Sequence, residues 1–307
     1  MGIKRYFATA DNTITNAFKN DLITRGTGSN MGASDILEAF VIHGQTSASI
    51  NAENAEQSRV LLQFDVQNIL DDISSGIIPS SSVEYRLKMY NAPHGNTTPV
   101  SYSLGVFLST KAWSEGSGLD MENYTDLGES NWIYATDTAE WDNTGSDYKV
   151  NANYSSSFHF SGGMENLDLD ITAFAMDRWR SGELDNYGFL LRHSDAVISG
   201  ALGTYYTKRF FGRNSEFYFN RPVIEARWDS ARKDNRGNLF LSSSLATGAD
   251  NLNTLYMYNN VRGTLKDIPN LKGAPQIILM NLYSGSNGVP VGAALDIINS
   301  SGETVTN

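Results

Sequence analysis

The chain has 307 residues, with 23 lysines and arginines against 34 aspartates and glutamates, which gives a formal net charge of −11. This acidic balance excludes sequence-independent binding of nucleic acid, which needs a basic surface to displace counterions. The absence of cysteine excludes disulfides, zinc–thiolate sites and a thiol nucleophile. We expect no membrane insertion, because the apolar runs fall far short of the roughly 20 residues that cross a bilayer.

The first residues lack the apolar core of a secretory signal, so the sequence predicts synthesis in a cytoplasm. We expect an N-terminal arm over about residues 1–34, within the first domain. Farther along the chain, apolar and polar residues alternate, which predicts strands at residues 59–66, 82–90, 102–108 and 222–228.

Two short segments have helical spacing instead, at residues 66–73 and 170–180. Asp170 is suited to cap the second, and the Ser-Gly pair at residues 181–182 ends it. Many short strands with so few helices predict an all-β fold, an antiparallel jelly-roll-like β-sandwich with one or two short helices.

The composition changes after Trp228, where residues 229–238 are charged and lack apolar periodicity. We therefore expect one domain over residues 1–229, followed by a linker and a smaller β domain over residues 230–307. The second part contains predicted strands at residues 252–258, 263–268 and 276–283. So few strands rarely close a sandwich, so they dock on the first domain, are completed by partners, or continue past Asn307.

The sequence offers little catalytic machinery. The four histidines are scattered without metal-ligand spacing, and the chain has no nucleophile elbow, phosphate loop or dinucleotide fingerprint. We expect no catalytic residues, no cofactor and no metal. One alternative is a glycosidase-like carboxylate pair drawn from Asp65, Glu84 and Glu225.

A second alternative is a Ca²⁺ site in the acidic segment that holds Asp120, Glu122, Asp126 and Glu129. This segment lacks the ligand spacing of a helix–loop–helix calcium site. A solvated acidic loop is therefore the favoured interpretation.

Tyrosine and phenylalanine recur through residues 205–219, interleaved with lysine and arginine. Protein interfaces favour such residues as anchors, and sugar rings also stack on tyrosine. Alternation along strands would bury about half of the rings in a core. The candidate interface or glycan contacts are Tyr205, Tyr206, Arg209, Phe210, Arg213 and Tyr218.

An ordered set of short motifs runs through the first domain. It comprises residues 58–66, Trp-Ser-Glu-Gly-Ser-Gly at 113–118, Ser-Asn-Trp at 130–132 with Trp141, Asp-Ile-Thr at 170–172 leading to Trp179, Asn-Tyr-Gly-Phe-Leu-Leu-Arg at 186–192, and Arg-Pro at 221–222. In this order the motifs resemble the DNRLRE-type β-sandwich domain. The resemblance implies a jelly roll with a polysaccharide-binding or surface-adhesive function. Residues 211–216 are only similar to the run that precedes the last strand in that family.

The layout of a first sandwich and a second β segment also resembles structural proteins of marine tailed bacteriophages. This resemblance implies a non-enzymatic virion component in the tail, neck, fibre or head-attached structures, made in the host cytoplasm. Its expected partners are other copies of itself and other virion proteins, with host surface polysaccharide as a further candidate. The alternatives are a polysaccharide-binding module on a particle or cell surface, and a carbohydrate-cleaving enzyme.

Overall fold

A computed structural model describes residues 2–45, 50–95, 99–119, 122–202, 205–230, 245, 247, 258–262, 264–266, 281–298 and 304–305. The chain divides into two compact units, Met1–Ser230 and Ala231–Asn307. The division falls one residue after the boundary expected from the composition.

The described residues of the first unit form eleven strands and a few short helices. The strands are β1 Gly2–Phe7, β2 Ala10–Thr15, β3 Ile36–Ile42, β4 Glu56–Gln63, β5 Val83–Met89, β6 Tyr102–Leu108, β7 Ser155–Phe160, β8 Leu167–Asp170, β9 Phe189–His193, β10 Tyr205–Phe211 and β11 Val223–Trp228. The helices are α1 Val66–Ser74, a π-helix Thr172–Met176 that runs into α2 Asp177–Arg180, α3 Asp195–Ile198, and a 3₁₀ turn Tyr218–Asn220.

These strands form two antiparallel sheets. The smaller sheet has the order β1-β11-β5-β8, and the larger has the order β10-β3-β4-β9-β6-β7, with β2 also paired to β4. Every pairing between these strands is antiparallel. The prediction of an all-β, sandwich-like fold with few short helices is confirmed.

The predicted alternation sets the core. Along β5, Val83, Tyr85, Leu87 and Met89 are buried and the residues between them are not. The same alternation buries one face of β6, and both strands contribute to a single large hydrophobic cluster. Burial of one face per sheet supplies most of the driving force for folding, since each large apolar side chain contributes about 1.5–3 kcal/mol.

A second, smaller cluster lies on the opposite face of the larger sheet. There Ile14, Leu61 and Leu190 pack with Trp132 and Trp141. The tryptophans belong to residues 110–148, a segment whose described residues form turns and isolated bridges in place of long strands. This tryptophan layer therefore covers part of a sheet face that would otherwise meet solvent.

The helix predictions hold with one shift. Helix α1 begins after Asp65, whose side chain accepts a hydrogen bond from Asn68 N at 3.3 Å, and it buries Val66 and Ile69. At the second predicted helix, strand β8 continues through Asp170 and the helical turn begins only at Thr172. The Asp170 carboxylate accepts from Thr172 N at 2.9 Å.

Two segments of the expected N-terminal arm over residues 1–34 are strands of the two sheets. Strand β1 pairs with β11, and β2 pairs with β4 from Ala10↔Gln63 to Thr15↔Ser58. Strand β2 escaped the sequence analysis because its buried residues are mostly polar, so it shows no apolar alternation.

The described part of the second unit consists of short antiparallel pairs. They are β12 Asn259–Val261 with β13 Thr264–Lys266, β14 Leu282–Ser286 with β15 Val289–Leu295, and β16 Ile297–Ile298 with β17 Thr304–Val305. Asn287 and Gly288, both at positive φ, connect β14 to β15. The strand predicted at residues 252–258 lies outside the described residues except for Tyr258. Among the described residues, no helix is long and apolar enough to span a membrane.

Candidate functional site

Two of the six candidate contact residues are excluded from any binding surface. Tyr206 and Phe210 are buried in the main hydrophobic cluster. They occupy positions of β10 whose side chains point between the sheets, where the Tyr206 ring lies 5.7 Å from that of Tyr102. The structure therefore corrects these two assignments: the rings stabilise the fold, as alternation along a strand requires.

Tyr218 belongs to an exposed group of three aromatic rings, those of Phe217, Tyr218 and Phe219, which we name the aromatic platform. Phe217, Tyr218 and Phe219 have exposed fractions of 54%, 50% and 73%. The ring of Tyr218 lies 4.5 Å from that of Phe7 on β1 and 5.5 Å from that of Phe219. The sequence pattern selects only Tyr218 from this group, because the three rings lie at the start of the 3₁₀ turn Tyr218–Asn220, where no alternation separates exposed rings from buried ones.

The platform is held firmly on its inner side. The Phe217 ring lies 5.4 Å from that of Phe211 at the end of β10. The Arg221 guanidinium lies 5.3 Å from the Tyr218 ring and donates a hydrogen bond to Ser215 O at 2.9 Å. The exposed rings are therefore presented in a defined arrangement by the segment between β10 and β11.

Tyr205 and Arg209 lie apart from the platform, in a groove of about 320 Å³ on the outward face of β3 and β10. The groove is lined by Glu38, Phe40, Ile42, Glu122, Tyr124, Tyr205, Thr207 and Arg209. Arg209 pairs across the strands with Glu38, with 3.0 Å between Arg209 Nε and Glu38 Oε2. Thr207 donates to the same carboxylate at 2.5 Å. The β3–β10 groove therefore combines tyrosine rings with hydrogen-bonding groups.

Arg213 is held by an internal cluster of charges. Its guanidinium forms a bidentate pair with Glu115, with distances of 2.9 Å from Nε and 2.6 Å from an Nη atom. The backbone N–H of Arg213 donates at 2.5 Å to the carboxylate of Asp11, which is fully buried. Two of the sequence motifs thus meet here, because Glu115 comes from the Trp-Ser-Glu-Gly-Ser-Gly run and Arg213 from residues 211–216.

Asp11 is the most perturbed carboxyl group of this cluster. Burial, with a further contribution from the charge of Glu115, raises the pKa of Asp11 to about 7. One of its carboxylate oxygens, Oδ1, has no hydrogen-bond partner among the described residues. A carboxyl group that titrates near neutrality and lacks one partner makes the stability of the fold depend on pH.

Lys208 is a buried cation that the sequence analysis did not single out. Its ammonium donates to Asn91 Oδ1 at 2.7 Å, Gly163 O at 3.1 Å and Glu165 O at 2.6 Å. The ring of Phe160 lies 4.6 Å from Nζ. Burial lowers the pKa of Lys208 to about 8. These contacts join β10 to Asn91 and to residues 163–165, so Lys208 has a structural role.

The three carboxylates considered for a glycosidase-like pair all have internal partners. Glu225 is buried and accepts from Arg5 Nε and Arg227 Nε, both at 2.7 Å. Burial alone would raise the pKa of Glu225, but these hydrogen bonds outweigh it and hold the pKa below its usual range. Glu84 pairs with Arg86, and Asp65 caps α1.

The described residues contain no group of three or more histidine, aspartate or glutamate side chains placed to hold a metal ion. Of the acidic segment, Asp120 lies outside the described residues. Asp126 accepts from Leu119 N at 2.7 Å, and Glu129 accepts from the Ser114 hydroxyl. These two carboxylates organise the loop itself.

Two of the four histidines are buried. His193 contacts Ala39 O through Nε2 at 3.1 Å, and His43 contacts Ile198 O through Nε2 at 2.9 Å. Burial lowers the pKa of His193 to about 4, so its imidazole is neutral across the physiological range.

Comparison of the chain with models of protein families and with curated proteins found no match.

Proposed function

We propose that this chain is a non-enzymatic structural protein that docks onto other protein subunits through the aromatic platform, as a component of a tailed-bacteriophage virion. The observation that carries the docking proposal is the exposure of Phe217, Tyr218 and Phe219 side by side on one turn. Contiguous exposed apolar patches are uncommon on monomeric proteins and mark interaction surfaces. The assignment to a virion rests on the resemblance in the layout of the sequence.

The energetics favour a protein partner for the platform. Burial of each large aromatic side chain contributes about 1.5–3 kcal/mol, and interfaces concentrate their binding energy in a few such anchors. The Arg221 guanidinium lies over the Tyr218 ring, and arginine is itself enriched at protein interfaces. In a symmetric assembly, identical copies would each cover the same patch.

Sedimentation velocity of the full chain tests the docking. We expect wild-type protein to associate as its concentration rises, and the double variant Phe217→Ser/Phe219→Ser to weaken that association at least about tenfold, because two anchors are lost. The control is Ile23→Ser, which removes an apolar side chain outside the platform that is 82% exposed. A chain that stays monomeric and fails to bind purified virions would refute the proposal.

Mass spectrometry of purified particles tests the virion assignment separately. The chain should be found at a stoichiometry that matches a symmetric component. Its absence from particles that contain the other structural proteins would refute this part of the proposal and leave the docking surface standing.

A second candidate function is polysaccharide binding, and the β3–β10 groove is the observation that favours it. Tyr205 is 38% exposed beside the Glu38–Arg209 pair, so a sugar ring would find a stacking face next to hydrogen-bonding groups. Titration calorimetry with host surface polysaccharide tests this function. Heat of binding that is lost in Tyr205→Ala and kept in Phe219→Ser would support it, and the absence of binding would refute it.

A further inference from the structure

The outer edge of β1 is an unpaired strand edge. In the described part of the chain, β1 is the end strand of its sheet and pairs only with β11. The hydrogen bond from Ala8 N to Pro222 O, at 3.0 Å, fixes the phase of this pairing. Because hydrogen-bonding direction alternates along an antiparallel strand, the N–H and C=O groups of Ile3, Arg5 and Phe7 point away from β11.

The usual protections of a strand edge are weak on β1. Proline, an inward charge or a bulge normally blocks such an edge. Residues 2–7 contain neither proline nor an irregular register, and their one charge on the inner side, Lys4, is paired. The two charged side chains of β1 are already neutralised within the subunit: Lys4 pairs with Asp72, and Arg5 donates to Glu225 at 2.7 Å. The β1 edge therefore repels a second strand less than its lysine and arginine alone would suggest.

The other sheet edges are less suited to pairing. Strand β8 has only four residues and carries Asp168 and Asp170. The edge of β10 is already occupied by residues 90–92, through hydrogen bonds that include Phe211 N to Tyr90 O at 3.0 Å. Strand β7 begins with three serines and offers no exposed apolar pair.

We infer that β1 pairs antiparallel with β1 of a second copy of the chain, so that the two smaller sheets join into one continuous sheet about a two-fold axis at Arg5. A two-fold axis perpendicular to the sheet keeps each face of one copy continuous with the same face of the other. Odd-numbered residues of β1 therefore lie opposite odd-numbered residues, and even-numbered residues lie opposite even-numbered ones. This pairing uses a surface other than the aromatic platform. It rests on the proposed function in one respect, that the chain associates with copies of itself.

Complementarity selects this register from its neighbours. With Arg5 opposite the partner copy's equivalent residue, Ile3 faces Phe7 on the outward side and Lys4 faces Tyr6 on the inner side. Ile3 is 48% exposed, and Phe7 contacts Tyr218, so the apolar pair continues the aromatic platform across the interface. In this register the two Arg5 side chains lie opposite each other, and each is paired with Glu225 of its own subunit at 2.7 Å. A shift by two residues in either direction separates Ile3 from Phe7, so this apolar pair selects the register.

Cysteine cross-linking tests the register directly, since the chain contains no cysteine. In the inferred dimer the Cα atoms of Ile3 and Phe7 lie about 5.5 Å apart, within the range for a disulfide. Two copies of the same position are offset by four residues along paired strands and lie roughly 14 Å apart, beyond that range. With oxidised glutathione as oxidant, a mixture of Ile3→Cys and Phe7→Cys proteins should form mixed disulfide dimers, and either variant alone should not.

Ile3→Pro supplies an independent variant. It removes an N–H that points to the open edge and leaves the hydrogen bonds to β11 in place, so the fold should keep its unfolding transition while the dimer dissociates. The Ile3→Cys and Phe7→Cys proteins should still form mixed disulfides when they also carry Phe217→Ser/Phe219→Ser. Loss of docking through the platform can therefore be told apart from loss of β1 pairing. Equal cross-linking of the mixture and of the single variants, or none, would overturn the inference.

Discussion

Replacement of Asp11 by asparagine should stabilise the first unit, and the gain should grow with pH. The Asp11 carboxyl group is buried, accepts a hydrogen bond from Arg213 N at 2.5 Å, and has one oxygen without a partner among the described residues. Asparagine keeps an acceptor for Arg213 N and cannot ionise. The variant therefore removes a buried charge and preserves the shape of the side chain.

The magnitude follows from the difference in pKa between folded and unfolded chains. Burial raises the pKa of Asp11 from 3.8 to about 7. Below pH 3.8 both states hold the proton, so ionisation contributes nothing. Between these values the unfolded chain releases its proton first, so stability falls as pH rises. Above pH 7 the full cost is present, about 4 kcal/mol for a shift of about three pH units.

Urea denaturation at pH 4.5, 6 and 8, followed by tryptophan fluorescence, measures this effect. All five tryptophans lie in the first unit, so the signal reports that unit. The buried amide N–H groups of asparagine add a constant cost of about 1 kcal/mol, which leaves the pH dependence unchanged. Asp142→Asn, at an exposed carboxylate paired with Lys111, is the control. A difference between Asp11→Asn and wild type that is the same at pH 4.5 and pH 8 would refute the reasoning.

Three further predictions concern stability and use the same denaturation assay. Lys208→Met should cost about 3–5 kcal/mol, because three oxygen acceptors lose a buried cation; a cost below 1 kcal/mol would contradict its structural role. Gly188→Ala should cost at least about 2 kcal/mol, since Gly188 has φ +79° and a Cβ there would overlap the Leu62 carbonyl oxygen; a neutral result would show that the turn can rearrange. His193, with its pKa lowered to about 4 by burial, should make stability fall by up to about 3 kcal/mol as pH drops from 6.5 to 4, because the unfolded chain takes up the proton first; His193→Gln should flatten that fall, and an unchanged slope would exclude His193 as its source.

Alternating strands were predictable because one face of each meets the core and the other meets polar surroundings. This holds for β5, β6 and β11, where apolar residues recur at every second position. Strand β2 could not be found in this way, because Asn12 is buried beneath a loop and donates to Ser130 O at 2.8 Å. A polar residue that is satisfied by a partner 118 positions away leaves no local signal.

The candidate site was only partly accessible to sequence reasoning for a similar reason. Composition identified the aromatic segment, and alternation along residues 205–211 separates the exposed Tyr205 from the buried Tyr206. The pairing of Arg213 with Glu115 joins residues 98 positions apart, so only the tertiary fold reveals that this guanidinium is already engaged. Phe7 joins the platform through the pairing of β1 with β11, which the expectation of an N-terminal arm had missed.

The tryptophan layer over the larger sheet has a consequence for how the chain tolerates change. Trp141 Nε1 donates to Asn131 O at 2.8 Å and Trp113 Nε1 donates to Tyr187 O at 3.0 Å, so indole groups anchor a stretch that has little backbone ladder of its own. In a paired strand, many backbone hydrogen bonds share the stabilisation, and they do not depend on which residues are present. The segment over residues 110–148 depends instead on a few particular side chains. Insertions between these anchors should be accommodated readily, while loss of a single indole would open the segment to proteases.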